Sequence, residues 1–214
     1  MVRSLDSAKG YHYERYGIAE FLAVMSEAGP APAAGSAAAN VAALAASLTS
    51  KAAKLSAKHL LRSDDLDRRA ILLRDRAMEL CNEDPEHYAK VIEARRKQRD
   101  GDDPSTESPA LALALSLANR VPYELAELAT EVSALAAEIA VTGNPNLIGD
   151  CISAAILAQS VVSIASVLTE INVPDPSSHS SETELKQLYS TVSNHVTSAL
   201  ASLTQRSATT NQQR

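Results

Sequence analysis

Apolar residues recur at helical spacing along almost the whole chain, and short clusters of Gly and Pro separate one such run from the next. The clearest run alternates intervals of four and three residues and comprises Val121, Leu125, Leu128, Val132, Leu135 and Ile139. This alternation places all of these side chains on one face of an α-helix. Each such face must be buried against another helix, so the sequence predicts an all-α, up-and-down bundle of about five to six long helices.

The apolar runs and the Gly and Pro clusters between them also predict where the helices lie. We expect helices at about residues 17–28, 37–61, 64–98, 110–141, 147–171 and 182–205. Ser36 is the expected N-cap of the second helix, and Pro85 and Pro122 are expected to interrupt the third and fourth, because proline lacks the backbone N–H of a helix interior. The fifth helix is apolar almost all round, so we expect it at the centre of the bundle.

The same pattern of apolar runs and Gly and Pro clusters predicts one domain. We expect a flexible N-terminal segment at 1–16, a single helical domain at 17–206 and a flexible tail at 207–214. The bundle offers more apolar seams than its interior can cover, which favours a homodimer that associates through helix seams.

Composition and charge exclude several classes of protein. Aromatic residues make up only 3% of the chain and its net charge is −6, which argues against a β-sandwich and against a nucleic-acid partner. The N-terminus lacks a signal peptide, and the apolar run at 147–168 contains Asp150 and Gln159, which favours a buried helix over a membrane span. Cys81 and Cys151 are far apart and no histidines cluster, so we expect no metal site and a cytoplasmic protein without a membrane partner.

Asp150 is the most unusual polar residue of the chain. It is the only acidic residue between Glu138 and Glu170 and stands at the start of the most apolar helix. One interpretation is that it stabilises the helix dipole. The other is a carboxylate in a partly apolar cleft that transfers protons. Asn144 and Asn146, just before it, fit either hydrogen bonding to a substrate or formation of the turn.

Two segments stand out as motifs: residues 30–36, Pro-Ala-Pro-Ala-Ala-Gly-Ser, and residues 143–150, Gly-Asn-Pro-Asn-Leu-Ile-Gly-Asp. They resemble, respectively, the Pro-x-Pro-Gly-Gly-Gly-Ser loop and the Gly-Asn-x-Asn-x-x-Ser-Asp motif of the cyclodeaminase/cyclohydrolase family. Weaker similarities keep the same order along the chain: residues 84–88 resemble Asp-x-x-Ala-Tyr, and Val121-Pro122 and Asn172 follow. Together the similarities cover roughly residues 17–175.

The resemblance implies an all-α homodimer whose cleft is lined by the loop and by the start of the Asn/Asp helix. It implies Asp150 as the catalytic acid and base. The residues that it implies for substrate binding are Pro32, Ala33, Ala34, Gly35, Ser36, Lys51, Asn144, Asn146 and Asn172. The family requires no metal or redox cofactor, and its small-molecule substrate is a tetrahydrofolate derivative.

The implied chemistry is either closure of a formimidoyl group into a methenyl bridge with loss of ammonia, or hydrolysis of that bridge. Ala33 and Ala34 replace two glycines of the family loop, Gly149 replaces a serine, and Leu168 replaces an asparagine. An alternative is therefore a diverged member that performs ring closure or hydrolysis on a non-folate imine or amidine in specialised metabolism. A second alternative is a non-catalytic helical dimer.

Overall fold

The computed structural model describes residues 11–100, 108–172 and 179–212, and in the last of these ranges the side chains of 182–205. These residues form six α-helices, two 3-10 turns and no strand, which confirms the all-α prediction. The helices are α1 (Ile18–Met25), α2 (Ala34–Lys54), α3 (Ser63–Arg99), α4 (Pro109–Thr142), α5 (Ile148–Asn172) and α6 (His179–Gln212).

Helix α4 forms the centre of the bundle and packs against α2, α3, α5 and α6. Helix α2 lies between α3 and α5. It approaches its neighbours closely because alanines fill its contact positions: Ala38, Ala39, Ala42, Ala45 and Ala46 are fully buried. Small side chains let helix backbones approach each other more closely than Leu or Ile would allow.

The prediction that α5 occupies the centre is wrong. One side of α5 packs against α2, α4 and α6, while a stripe on the other side is exposed and consists of Ser153, Ile156, Ser160, Ser163 and Val167. The stripe consists of three serines, one isoleucine and one valine and carries no charge, so hydropathy alone did not distinguish it from a buried face. Among the described residues, the segment Pro145–Asn172 is the one long and apolar enough to cross a membrane by length and composition.

The predicted breaks at the two prolines are also wrong, because α3 and α4 are continuous with Pro85 and Pro122 inside them. Pro85 has no N–H to donate to the carbonyl of Cys81, four residues earlier. The hydroxyl of Ser36 donates to that carbonyl at 3.2 Å instead. A side chain of α2 thus supplies the donor that α3 lacks. The predicted N-cap is corrected too, since α2 already begins at Ala34 and Ser36 lies in its first turn.

The chain ends differ from the expectation where the structure describes them. Tyr13 is buried, and its N–H donates to Asn82 Oδ1 on α3 at 2.8 Å. Tyr11 and Tyr16 also pack on the core, so the ordered fold begins before residue 17, while 1–10 lie outside the described residues. At the other end, α6 continues past residue 206 to Gln212.

Candidate functional site

A cavity of about 420 Å³ lies where the start of α2, the middle of α3 and α4, and the end of α5 meet. This volume falls within the usual range for small-molecule sites. The lining residues come from all four helices and from the segment before α2: Gly29, Pro30, Ala33, Ala34, Gly35, Asp84, Pro85, Tyr88, Ile92, Ala118, Pro122, Leu168, Ile171 and Asn172. Most of the described lining residues are apolar, and Asp84 is the one charged residue among them.

Asp84 is held in a fixed position by the first turn of α2. The backbone N–H of Ser36 donates to Asp84 Oδ2 at 3.0 Å, and the Ser36 hydroxyl lies 3.1 Å from the same oxygen. These bonds use a backbone donor that has no partner within α2, because the first N–H groups of a helix are unsatisfied. The partial positive charge of the helix N-terminus also favours a carboxylate here.

Gly35 makes this approach possible. A Cβ atom on residue 35 would lie 2.0 Å from Asp84 Oδ1 and 2.4 Å from Asp84 Cγ. No side chain other than hydrogen fits there unless the carboxylate moves. The glycine at position 35 therefore provides room for the Asp84 side chain.

Burial raises the pKa of the Asp84 carboxyl above its usual value of 3.8, while the two bonds from Ser36 and the nearby charge of His87 act in the opposite direction. Burial is the largest of these effects because an apolar environment disfavours the charged form. A carboxyl group with a raised pKa takes up and releases protons nearer to neutral pH, as a general acid and base requires.

Two further groups near Asp84 are the thiol of Cys81 on α3 and the ring of Pro122 on α4. Burial raises the pKa of the Cys81 thiol to about 12, so this cysteine is not a nucleophile at neutral pH. Pro122 removes the helical donor to the carbonyl of Ala118, and both residues line the cavity.

The structure brings one group of the sequence-predicted residues to this cavity. Ala33, Ala34, Gly35 and Asn172 line it, and Ser36 binds its carboxylate. Pro32 is buried in the segment that leads into α2. Ala33 has φ −133° and ψ −158°, an ordinary extended conformation, so alanine in place of the family glycine causes no backbone strain, and its methyl group faces the site.

The other predicted residues lie at the opposite end of α2. Lys51 Nζ is 2.8 Å from Asp150 Oδ2, and Lys51 is about 22 Å from Ser36 along α2 at 1.5 Å per residue. Within one chain, Asp150 and the Ser36 loop therefore do not share a cleft. The role of Asp150 as catalytic acid and base stays a prediction.

Asn144 connects the α4–α5 turn to the end of α2. Its N–H donates to Ser56 Oγ at 2.9 Å, its Nδ2 donates to the Leu55 carbonyl at 3.1 Å, and its Oδ1 accepts from the N–H of Asn146 at 3.0 Å. These contacts account for both asparagines through turn formation. Their role in substrate binding stays a prediction.

Sequence reasoning missed Asp84 and Tyr88 as site residues. Neither residue was among the predicted site residues. The signal was present, since both residues belong to the segment that resembles Asp-x-x-Ala-Tyr. Asp and Tyr at i and i+4 lie on the same face of a helix, which here faces the cavity.

Comparison with known proteins decides the family. The sequence profile of formiminotransferase-cyclodeaminase matches residues 17–191, which is most of the chain. The chain belongs to this family. It is accordingly an enzyme of the cyclodeaminase type, which acts on carbon–nitrogen bonds in folate metabolism.

A solved structure shares the fold of this cyclodeaminase-family chain. Formiminotetrahydrofolate cyclodeaminase from Thermotoga maritima superposes with a TM-score of 0.77 at 21% sequence identity, over 89% of this chain and 96% of that one. No curated protein matches the chain at a significant level. At this identity the likeness supports the fold, and the assignment of individual residues depends on the geometry of the cavity.

Proposed function

We propose that the chain binds a formimidoyl-substituted tetrahydrofolate in the cavity beside Asp84 and closes it to the methenyl form with release of ammonia. The observation that carries this proposal is the position of Asp84: a carboxyl with a raised pKa, fixed by the backbone N–H of Ser36, in a cavity whose described lining is mostly apolar. Family membership supplies the class of reaction.

Asp84 performs both proton transfers. The substrate carries a protonated formimidoyl group on one ring nitrogen. The second nitrogen attacks its carbon, a C–N bond forms, and Asp84 accepts the proton released by the attacking nitrogen. Asp84 then returns this proton to the terminal nitrogen of the formimidoyl group. The bond between this nitrogen and the formimidoyl carbon breaks, and ammonia departs. Charge is conserved, since the amidinium cation becomes the methenyl cation.

The charge of the cavity supports a cationic reacting group. No basic side chain is among the lining residues given above. The carboxylate of Asp84 is therefore not paired with a lining cation and can interact with the positive charge of the amidinium or methenyl group. In a water-poor site this interaction is stronger than in bulk solvent. The reaction consists of proton transfers and nucleophilic addition, so we propose that it proceeds without a metal or redox cofactor in the cytoplasm.

Ammonia release from 5-formimidoyltetrahydrofolate by the purified chain tests the proposal directly. Continuous release above the uncatalysed rate supports it. No release, together with no hydrolysis of 5,10-methenyltetrahydrofolate, would remove both folate reactions.

Ala33 and Ala34 favour a second candidate, the same ring closure or hydrolysis on a different imine or amidine. Their methyl groups occupy cavity wall where the family loop has glycines. A smaller or differently shaped substrate would make use of that narrower wall.

The double substitution Ala33→Gly, Ala34→Gly separates the two candidates. We expect it to strengthen binding of tetrahydrofolate derivatives several-fold, because removing two methyl groups widens the cavity, as measured by fluorescence titration. Ala37→Gly on the same helix is the control for added backbone flexibility. If the double variant binds folate no better than the control does, the second candidate gains support.

We further propose a homodimer that forms through α5. The exposed stripe defined above, from Ser153 to Val167, carries no charge over about four helical turns and combines three small serines with the branched side chains of Ile156 and Val167. A second copy of the same stripe is complementary to it in size and in polarity. Closed two-fold association is the commonest way to cover such a face.

Ile156→Glu is expected to dissociate this dimer, because it replaces the one isoleucine of the uncharged stripe with a charged side chain. Light scattering should then give a mass near the 22.6 kDa of one chain, against twice that value for the wild type. Leu72→Glu is the matched control, since Leu72 is also exposed but lies on α3 among charged residues. A wild-type mass of one chain would remove the proposal.

A further inference from the structure

A second cavity adjoins the first along α3. It also measures about 420 Å³ and is lined by Ile92, Arg95, Gln98, Arg99 and Leu111. Ile92 lines both cavities, so the two form one groove between α3 and α4 that runs from Asp84 to Arg99.

The groove follows one face of α3. Asp84, Tyr88, Ile92, Arg95 and Arg99 are separated by intervals of four, four, three and four residues, which places them in one stripe along the helix. Arg95 lies about 16 Å from Asp84 along the axis at 1.5 Å per residue. A ring system joined to a benzoyl-glutamate tail spans such a distance, whereas a small amidine does not.

The negative and positive side chains of the groove lie in different cavities. Among the lining residues that the structure describes, the charged group of the first cavity is the carboxylate of Asp84, and those of the second are the guanidinium groups of Arg95 and Arg99. Both arginines are exposed, and neither forms an ion pair with another residue that the structure describes. Lys97, by contrast, pairs with Glu93 at 2.7 Å, and Arg96 lines neither cavity.

We infer that Arg95 and Arg99 form an anion subsite that binds the glutamate carboxylates of the substrate. This inference rests on the proposed folate substrate and deepens it: Asp84 receives the cationic reacting end, and the two arginines receive the anionic tail. Guanidinium groups suit this role because they bind carboxylates through two parallel hydrogen bonds.

The test compares two ligands that differ only in the tail, 5-formyltetrahydrofolate and 5-formyltetrahydropteroate, which lacks glutamate. We expect Arg95→Ala with Arg99→Ala to raise the Kd for the folate roughly 10- to 100-fold, since it removes two charge-assisted contacts, and to leave the Kd for the pteroate unchanged. Arg96→Ala, which makes the same change of charge on the same helix, should alter neither Kd. Lysine at both positions should restore part of the folate affinity.

Other outcomes overturn the inference in distinguishable ways. Equal weakening of both ligands in the double variant would mean that the arginines act on the fold or on the pterin end. Equal wild-type affinity for the two ligands would mean that the tail has no subsite. Binding of neither ligand to the wild type would remove the proposed function and this subsite with it. Thermal melting of each variant verifies that it is folded.

Discussion

Asp84→Asn should lower turnover by roughly 10²–10⁴-fold, the usual contribution of a positioned general acid and base. The amide keeps the shape of the carboxyl group, and its oxygen still accepts the hydrogen bond from the backbone N–H of Ser36. Substrate affinity should therefore change much less than turnover. Ammonia release from 5-formimidoyltetrahydrofolate under saturating and subsaturating conditions separates the two quantities.

Asp150→Asn is the matched comparison, because it makes the same chemical change at the other end of α2. It breaks the ion pair with Lys51, whose side chain is 56% exposed, and a pair with a solvent-exposed partner contributes little to stability. If Asp84 is the catalytic group, this variant keeps nearly full turnover. The reverse pattern, with loss in Asp150→Asn and none in Asp84→Asn, would return the catalytic role to Asp150 and contradict our proposal.

The pH dependence gives an independent readout of Asp84. Its pKa is raised in the folded chain, so the folded state holds this proton more tightly than the unfolded state does. The free energy of unfolding therefore falls as pH rises from 3.8 through the folded-state pKa of Asp84. At any pH above that pKa, the folded chain bears the full cost of holding the ionised carboxylate in a buried position. Asp84→Asn lacks this cost. At neutral pH it should melt at the same temperature as the wild type or higher, despite its loss of activity.

Hydrophobic periodicity predicted all six helices because each buries a face with a repeat near 3.6 residues. It failed at Pro85, because continuity of α3 there depends on the Ser36 hydroxyl, which is distant in sequence. It also failed to identify α4 as the central helix. The choice between α4 and α5 depends on which neighbours cover each face, and composition does not contain that information.

The site was predicted only in part, since sequence similarity indicates residues and not which end of the bundle they occupy. Asp150 and Asn172 lie at opposite ends of α5, about 33 Å apart at 1.5 Å per residue. One small cavity in a single chain could not contain both, and this constraint was available from the sequence. That the middle of α3 crosses the start of α2 was not available, because it depends on the helix packing that brings Asp84 to Gly35.

Gly35→Ala should reduce both stability and activity, because its Cβ would lie 2.0 Å from Asp84 Oδ1 and must displace the carboxylate from Ser36. Overpacking of this kind costs about 1–3 kcal/mol, and turnover should fall because the displaced carboxyl no longer meets the substrate. Gly149→Ala is the control: nothing lies within 4 Å of its added methyl group, so alanine in this helix should be neutral or stabilise by up to about 1 kcal/mol.

A double-mutant cycle assigns the cost of Gly35→Ala to its contact with Asp84. In an Asp84→Ala background the carboxylate atoms that the new methyl group would meet are absent, so Gly35→Ala should there change the free energy of unfolding by less than about 0.5 kcal/mol. Chemical denaturation of the four proteins measures both values. An equal cost in the two backgrounds would show that residue 35 is constrained by the α2 backbone itself, and the close approach of Asp84 would not explain its glycine.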